Sequence, residues 1–214
     1  MEILQEISSF LQKGRSKSVK ELVSKALEEG ISAQTILDDA LLAGMSIIGE
    51  KFKKNEVFVP EVLVSARAMN AGVEILRPYL ITEGATTKGV AILGTVKGDL
   101  HDIGKNIVKI MLEGKGITVI DIGVDADAQT FIDKAIEHNA NIICCSALLT
   151  TTMPEMANVV QCAKDAGIYG KIKIMIGGAI VTQEFCDKIG ADYFTPDATT
   201  ASDVALKICL GENI

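Results

Sequence analysis

The chain has 214 residues, 48% of them hydrophobic, enough to bury one large core or two small ones, and its 23% charged residues are ordinary for a folded protein. A net charge of -7 and a pI near 4.9 argue against a nucleic-acid partner, because phosphates reward Lys and Arg by counterion release. The 4% aromatic content without Trp predicts aliphatic packing, and the five cysteines contain no CxxC pair, which argues against a disulfide framework or a zinc site.

The N-terminal run MEILQEISSFLQKG scatters charges through its apolar residues, so no signal peptide is expected there. No stretch reads as a membrane span, and a cytoplasmic location away from membranes is the expectation. Ile3, Leu4, Ile7, Phe10 and Leu11 form one helical stripe, and Val19, Leu22, Val23, Ala26 and Leu27 a second. Ser18 followed by Glu21 predicts a capping box at the start of the second helix, and Gly30 its end. A third helix is expected from Ser32, with Ile36, Leu37, Ala40, Leu41, Gly44, Ile47 and Ile48 facing inward. A fourth begins near Pro60 and carries Val62, Ala66, Met69, Val73 and Leu76 before Pro78. Four amphipathic helices with short links predict a small antiparallel bundle over residues 1–84.

From TEGATTKG onward the pattern changes, and residues 89–214 alternate short β-rich runs with helices. Strands are expected at Val90 to Val96, Thr118 to Ile122, Asn141 to Ser146, Lys171 to Ile176 and near Tyr193. Helices are expected at Ile103 to Leu112, Ala128 to Glu137, Met153 to Ala166, Gln183 to Ile189 and Ala201 to Cys209. The alternation predicts an α/β domain with a doubly wound parallel sheet. Cys144 and Cys145 lie together in the apolar run NIICCSAL, where strand neighbours face opposite ways, so core packing outweighs metal binding.

Ligands of such sheets bind in the loops after the strands, near the point where strand order reverses. The loop after the first strand reads Lys97-Gly98-Asp99-Leu100-His101-Asp102-Ile103-Gly104-Lys105-Asn106. Side chains at i and i+2 of an extended loop project together. Asp99 can therefore bond one ring nitrogen of His101 and leave the other for a ligand, the arrangement that orients metal-binding imidazoles. Gly104 would let a large ligand approach the backbone. A helix-capping Asp beside an exposed His is the plainer alternative. Ser146-Ala147-Leu148 and Thr150 after the third strand, and Gly177-Gly178-Ala179 after the fourth, fall at the same end of the sheet. An ordinary strand-to-helix turn would also explain the two glycines.

Asp-x-His-x-x-Gly, Ser-x-Leu and Gly-Gly, each in its own βα loop, resemble the cobalamin-binding domains of methionine synthase and of the corrinoid proteins in methanol, methylamine and aryl methyl ether methyltransferase systems. The helical segment FKKNEVFVPEVLVSARAM, Phe52 to Met69, is similar to the end of that family's cap module, so the resemblance spans nearly the whole chain. It implies a four-helix cap followed by a flavodoxin-like (Rossmann-like) sheet. The cofactor it implies is cobalamin or a related corrinoid, bound with its own base displaced and His101 as the lower axial ligand of cobalt. Asp99 would be the partner of His101, and Thr152 would extend the contact as a proton relay. Thr152 also reads as an N-cap with Glu155 three residues on.

By the same resemblance Ser146, Leu148 and Thr150 line the slot for the displaced nucleotide tail, Gly177 and Gly178 give it room, and Asp197 and Ala198 close it. Phe52, Val59 and Val62 match positions that cover the upper corrin face, whereas Phe58 and Met69 read as bundle packing and Lys53-Lys54 as solvated. The implied function is a methyl carrier without catalysis of its own. It would take a methyl group on Co(I) from a donor-specific methyltransferase and pass it to a second, acceptor methyltransferase, with a reductive activation protein as a further partner. The stretch Thr82 to Gly89 is a candidate hinge for moving the cap aside. A cobalamin-dependent sensor or regulator is the main alternative. A radical-mutase subunit and a phospho-receiver domain fit less well, the first for its usual lack of a cap and the second for the apolar strand end at Cys144 to Ser146.

Overall fold

The computed structural model describes residues 2–83 and 87–212, and they fall into two compact units that part between Thr86 and Thr87. Part of the hinge expected at Thr82 to Gly89 lies outside the described residues. The first unit is helical: α1 (Glu2–Gln12), α2 (Ser16–Glu28), α3 (Ala33–Ile36), a π-helical turn (Leu37–Leu42), α4 (Ala43–Lys53) and α5 (Val59–Glu83). Ile7, Leu11, Val19, Val23, Ile36, Leu41, Met45, Ile48, Val62, Met69 and Leu76 form its buried core.

Five sequence expectations change in this unit, one of them Ile47, expected to face inward and 42% exposed. The second helix starts at Ser16, ahead of Ser18, with Arg15 at its N-cap and no side-chain cap, so the Ser18 and Glu21 capping box is not formed. Its other end follows expectation. Gly30 at φ 83 turns the chain, and the N–H groups of Gly30 and Ile31 bond the carbonyls of Leu27 and Ala26, a Schellman closure. The third helical run does begin after Ser32, whose hydroxyl accepts from the Thr35 N–H, but it passes through a π-helical turn before α4. The fourth run continues through Pro78 to Glu83, where a stop was expected. Proline removes one donor from the ladder and leaves the bonds on either side available, so the helix is weakened there without ending. Phe58, expected in the bundle core, is instead 62% exposed, while its N–H donates to Glu61 at the start of α5.

The second unit alternates β1 (Val90–Thr95), α6 (Ile103–Glu113), β2 (Thr118–Asp121), α7 (Ala128–Glu137), β3 (Ile142–Ser146), α8 (Pro154–Asp165), β4 (Lys173–Gly177), α9 (Gln183–Ile189), β5 (Tyr193–Phe194) and α10 (Ala198–Leu210). All strand pairs are parallel, in the order β2-β1-β3-β4-β5. The order reverses at β1, which has β2 on one side and β3 on the other. This is the flavodoxin-like, doubly wound sheet that the alternation predicts.

The two faces of the sheet carry separate cores. Ile92, Ile143, Cys145, Ile174 and Ile176 pack with Phe131, Met156 and Val160, from α7 and α8. Ala91, Leu93, Ile142, Cys144 and Met175 pack with Leu112, Ala201 and Ala205, from α6 and α10. Cys144 and Cys145 thus face opposite ways, as period-two alternation requires. Burial pushes the Cys144 thiol up to about 12, so it stays protonated and unreactive. The last helix starts three residues earlier than its apolar pattern suggests, because Asp197 caps it by accepting from the Thr200 N–H and hydroxyl.

Candidate functional site

The loop between β1 and α6 runs along the carboxyl ends of the strands, beside the point where strand order reverses. Asp99 is fully buried there. Its Oδ1 accepts from the His101 backbone N–H at 3.0 Å and from His101 Nδ1 at 2.7 Å. Its Oδ2 accepts from the Thr152 hydroxyl at 2.8 Å and from the N–H groups of Leu148 at 2.7 Å and Leu149 at 3.3 Å. Burial alone would raise the pKa of this carboxyl. The bonds from Leu148, from the His101 backbone and ring, and from Thr152 outweigh it and hold the group far below the usual carboxylate range.

An ionised carboxylate only accepts, so the proton of a neutral His101 ring sits on Nδ1 and the lone pair on Nε2. The ring is 52% exposed, so Nε2 can meet a ligand from outside the chain. The backbone of His101 is held as well, since the buried Thr95 hydroxyl donates to its carbonyl at 2.9 Å. The sheet end thus presents one oriented imidazole nitrogen.

Apolar side chains are left uncovered in this loop, at the start of α6 and in the neighbouring loops. Leu100 and Ile103 are 71% and 72% exposed, and Leu148, Leu149 and Val124 from the two neighbouring loops are partly exposed too. Large apolar side chains from three loops at one strand end call for a cover. At Gly104 an added Cβ would meet nothing within 4 Å, and the same holds at Gly123. No contact within the fold requires Gly104, so its missing side chain leaves room for something else. A broad ligand with apolar faces and one position open to a nitrogen donor fits these residues.

The structure brings Asp99, His101, Gly104, Leu148 and Thr152 together. Thr152 does not act as a cap: α8 starts at Pro154 after Met153, with no side-chain cap, and the Thr152 hydroxyl bonds Asp99 and the Leu149 carbonyl. Gly178 has its space already filled, because a Cβ there would lie 1.9 Å from the Ala147 carbonyl oxygen at a φ of 140. A Cβ added at Gly177 would lie 3.2 Å from the Thr195 carbonyl oxygen, a milder crowding that a shift of a few tenths of an ångström relieves. Both glycines let adjacent loops approach. Ser146 is half-buried at the end of β3, its carbonyl accepting from the Val96 N–H, and Thr150 is exposed. The Asp197 carboxylate serves as the cap of α10, of which Ala198 is the first residue. In the helical unit Phe52 and Val59 are half-buried and Val62 is fully buried.

Two contributors carry no local signal in the sequence. Thr95 looks like an ordinary strand residue, and Asp125 acts through the backbone of another loop, accepting from the Gly98 N–H at 2.7 Å.

Models of the B12 binding domain match residues 89–205 and, for the helical region, residues 3–77. This chain belongs to the B12-binding corrinoid proteins. Among its relatives, trimethylamine corrinoid protein 1 of Methanosarcina mazei is 42% identical over 190 residues, 88% of this chain and 87% of that one. Dimethylamine corrinoid protein 2 of the same organism is 40% identical over 210 residues, 98% of each chain. A chain in the crystal structure of the methanol:cobalamin methyltransferase complex MtaBC from Methanosarcina barkeri superposes with a TM-score of 0.89 at 31% identity, over 99% of this chain and 81% of that one. A cobalamin-binding protein from Desulfitobacterium hafniense gives a TM-score of 0.77 at 29% identity, over 96% of this chain and 98% of that one. The cofactor of this corrinoid protein is therefore cobalamin or a close relative. Among its described residues no helix is long and apolar enough to cross a membrane.

Proposed function

We propose that this corrinoid protein is a methyl carrier that would bind its cofactor on the β-strand ends, with His101 Nε2 as the nitrogen that would hold the cobalt. The observation that supports this is the Asp99-His101 pair: a buried carboxylate, held ionised by its hydrogen-bond donors, fixes the ring tautomer and leaves the exposed Nε2 free to meet a ligand. When bound, the corrinoid supplies methyl transfer, because its cobalt takes up a methyl group in the reduced state and yields it to an acceptor. The chain supplies the ligand, its orientation and its protonation.

Asp99 keeps a proton on Nδ1, so Nε2 is free to coordinate. As the ring's carboxylate partner, Asp99 would also stabilise His101 in its imidazolium form. Thr152, by donating to Asp99 Oδ2, moderates the charge that the ring meets and is placed to relay a proton. We assign Leu148, Ser146 and Thr150 to the nucleotide tail, with Gly177, Gly178, Asp197 and Ala198 shaping that end through loop packing. Residues 1–84 are assigned as the cap and 89–214 as the cofactor-binding domain. Phe52 and Val59 are the cap side chains we assign to the cofactor, with Val62 packed beneath as support.

The carrier role implies one methyltransferase that loads the protein and a second that unloads it, with a reductive activation protein to restore the reduced metal. A methylamine is the donor class we assign to the loading step. This rests on the relatives named for trimethylamine and dimethylamine.

The deciding experiment is the EPR spectrum of the reconstituted protein in the Co(II) state. Hyperfine splitting from one axial nitrogen is expected and should vanish in His101→Ala with the cofactor still bound. Persistence of the signal in that variant, with the cofactor's own base excluded, would overturn the ligand assignment. Incubation with methylamine donors should give methylation only when a cognate methyltransferase is added, and rapid saturable methylation by the carrier alone would refute the carrier role.

A further inference from the structure

The His101 loop is gripped by the loop that follows β2. Asp125 has a φ of 54, in the left-handed region that few residues other than glycine, Asn and Asp enter. From there it makes two bonds to the His101 loop. Its Oδ1 accepts from the Gly98 N–H at 2.7 Å, and its N–H donates to the Asp99 carbonyl at 3.0 Å. Asp121, at the start of the same loop, accepts from Lys105 Nζ at 2.7 and 2.8 Å and from the Gly123 N–H at 3.0 Å. Lys105 is a buried lysine, 3% exposed, that also donates to Asn106. The β2–α7 loop therefore holds the His101 segment on both sides, upstream through Asp125 and downstream through Asp121.

We propose that Asp125 is a positioning residue for His101, with the Asp121-Lys105 pair anchoring the far end of the same segment. Asp125 touches neither the imidazole nor its ligand direction. Its two bonds hold the peptides on either side of the Gly98–Asp99 link, the Gly98 N–H of the one and the Asp99 carbonyl of the other, and Asp99 in turn sets the ring. Without the Gly98 bond the Lys97–Gly98 peptide can rotate, and the backbone that carries Asp99 is held less firmly beneath the carboxylate's two bonds to His101. A residue in a sparsely populated backbone region persists only where its surroundings hold it there, and here the two bonds do so. The role rests on the reading that His101 Nε2 holds the metal.

The test uses the full chain and two variants. Asp125→Asn keeps an oxygen acceptor and tolerates the left-handed region, whereas Asp125→Gly accepts that φ and keeps the N–H but removes the acceptor. Lys105 and Asp121 are unsuitable, because breaking a buried ion pair threatens folding itself. In the cofactor-free protein, amide exchange at Gly98 should match wild type in Asp125→Asn and be about tenfold faster in Asp125→Gly, the loss of one hydrogen bond. In the reconstituted Co(II) protein, the fraction with axial nitrogen splitting should stay at the wild-type level in Asp125→Asn and fall in Asp125→Gly. Equal Gly98 exchange in all three proteins overturns the proposal. So does faster exchange with an unchanged nitrogen signal, which would make Asp125 merely structural. If His101→Ala, run alongside, has the same spectrum as wild type, the ligand assignment itself is wrong and the positioning role falls with it, whatever the exchange rates show.

Discussion

Asp99 and His101 are joined twice through a single oxygen: Oδ1 takes the ring Nδ1–H at 2.7 Å and the backbone N–H at 3.0 Å. The other oxygen takes three donors from the loop after β3. One buried carboxylate thus orients the imidazole and ties together the two loops on either side of the strand-order reversal. Orientation and loop closure share a cause.

Replacing Asp99 by Asn keeps the size and removes the charge. The amide then presents an N–H to one set of donors, so at least one buried donor loses its acceptor. A loss of about 2–4 kcal/mol in the urea unfolding of the cofactor-free protein is expected, since a charged partner is removed from a buried network. The same variant should lose part of its axial nitrogen signal, because the ring tautomer is no longer imposed. Wild-type stability would mean that the loops rearrange around the amide.

Acid should weaken the fold through the same group. The Asp99 pKa is depressed in the folded state, and so are those of Asp121, where the Lys105 bond, the Gly123 N–H and the charges of Lys105 and Lys109 together outweigh burial, and Asp127, through the Thr130 N–H. A depressed folded pKa means that the ionised form is the stabilising one. That contribution is complete above the unfolded value of about 4 and drains away as pH falls through the folded values. The urea midpoint should hold steady down to about pH 5 and decline below about pH 4, less steeply in Asp99→Asn. An identical decline in the variant would assign the acid sensitivity to other carboxylates.

Thr152 offers a finer probe. Its hydroxyl has Asp99 Oδ2 at 2.8 Å and the Leu149 carbonyl at 3.0 Å within reach and is almost fully buried. Thr152→Val keeps the shape and removes the donor, at an expected cost of about 1–2 kcal/mol. Thr152→Ser should recover most of that. Had the hydroxyl been a helix cap, the loss would appear as fraying of α8; with the observed geometry, amide exchange should rise at Leu148 and Leu149 instead.

Much of this site is legible in the sequence because its residues lie in short, regular βα loops. The alternation of strands and helices places the loops after β1, β3 and β4, and the resemblance to the cobalamin-binding domains picks out Asp99, His101 and Gly104 within the first of them. The helical boundaries were less legible. Ser18 carries a capping pattern, yet α2 starts at Ser16, and the π-helical turn at Leu37–Leu42 leaves the apolar spacing of a helix intact. Thr95 and the bond that Asp125 makes to Gly98 were not legible for a different reason. Both residues bond backbone groups of a neighbouring loop, and backbone groups carry no sequence signal. The glycines were legible as glycines, but only geometry separates those that serve the fold from those that leave space for a ligand.

That separation can be tested with two substitutions of the same kind. At Gly178 an added Cβ would lie 1.9 Å from the Ala147 carbonyl oxygen, and φ of 140 is hostile to any side chain. Gly178→Ala should therefore destabilise the cofactor-free protein by more than about 2 kcal/mol, the sum of backbone strain and a contact that a carbonyl cannot avoid. At Gly104 the Cβ meets nothing, and the residue lies in the first turn of α6, where alanine favours the helix by up to about 1 kcal/mol. Gly104→Ala should leave the thermal midpoint of the cofactor-free protein unchanged or slightly raised, yet weaken corrinoid binding about tenfold or more if the ligand comes close to the backbone at this point, as proposed. Thermal melts of the cofactor-free variants and equilibrium titration with cobalamin supply both readings. If Gly104→Ala binds the corrinoid as tightly as wild type, the ligand does not approach α6 at this point, and the open space beside His101 needs another explanation.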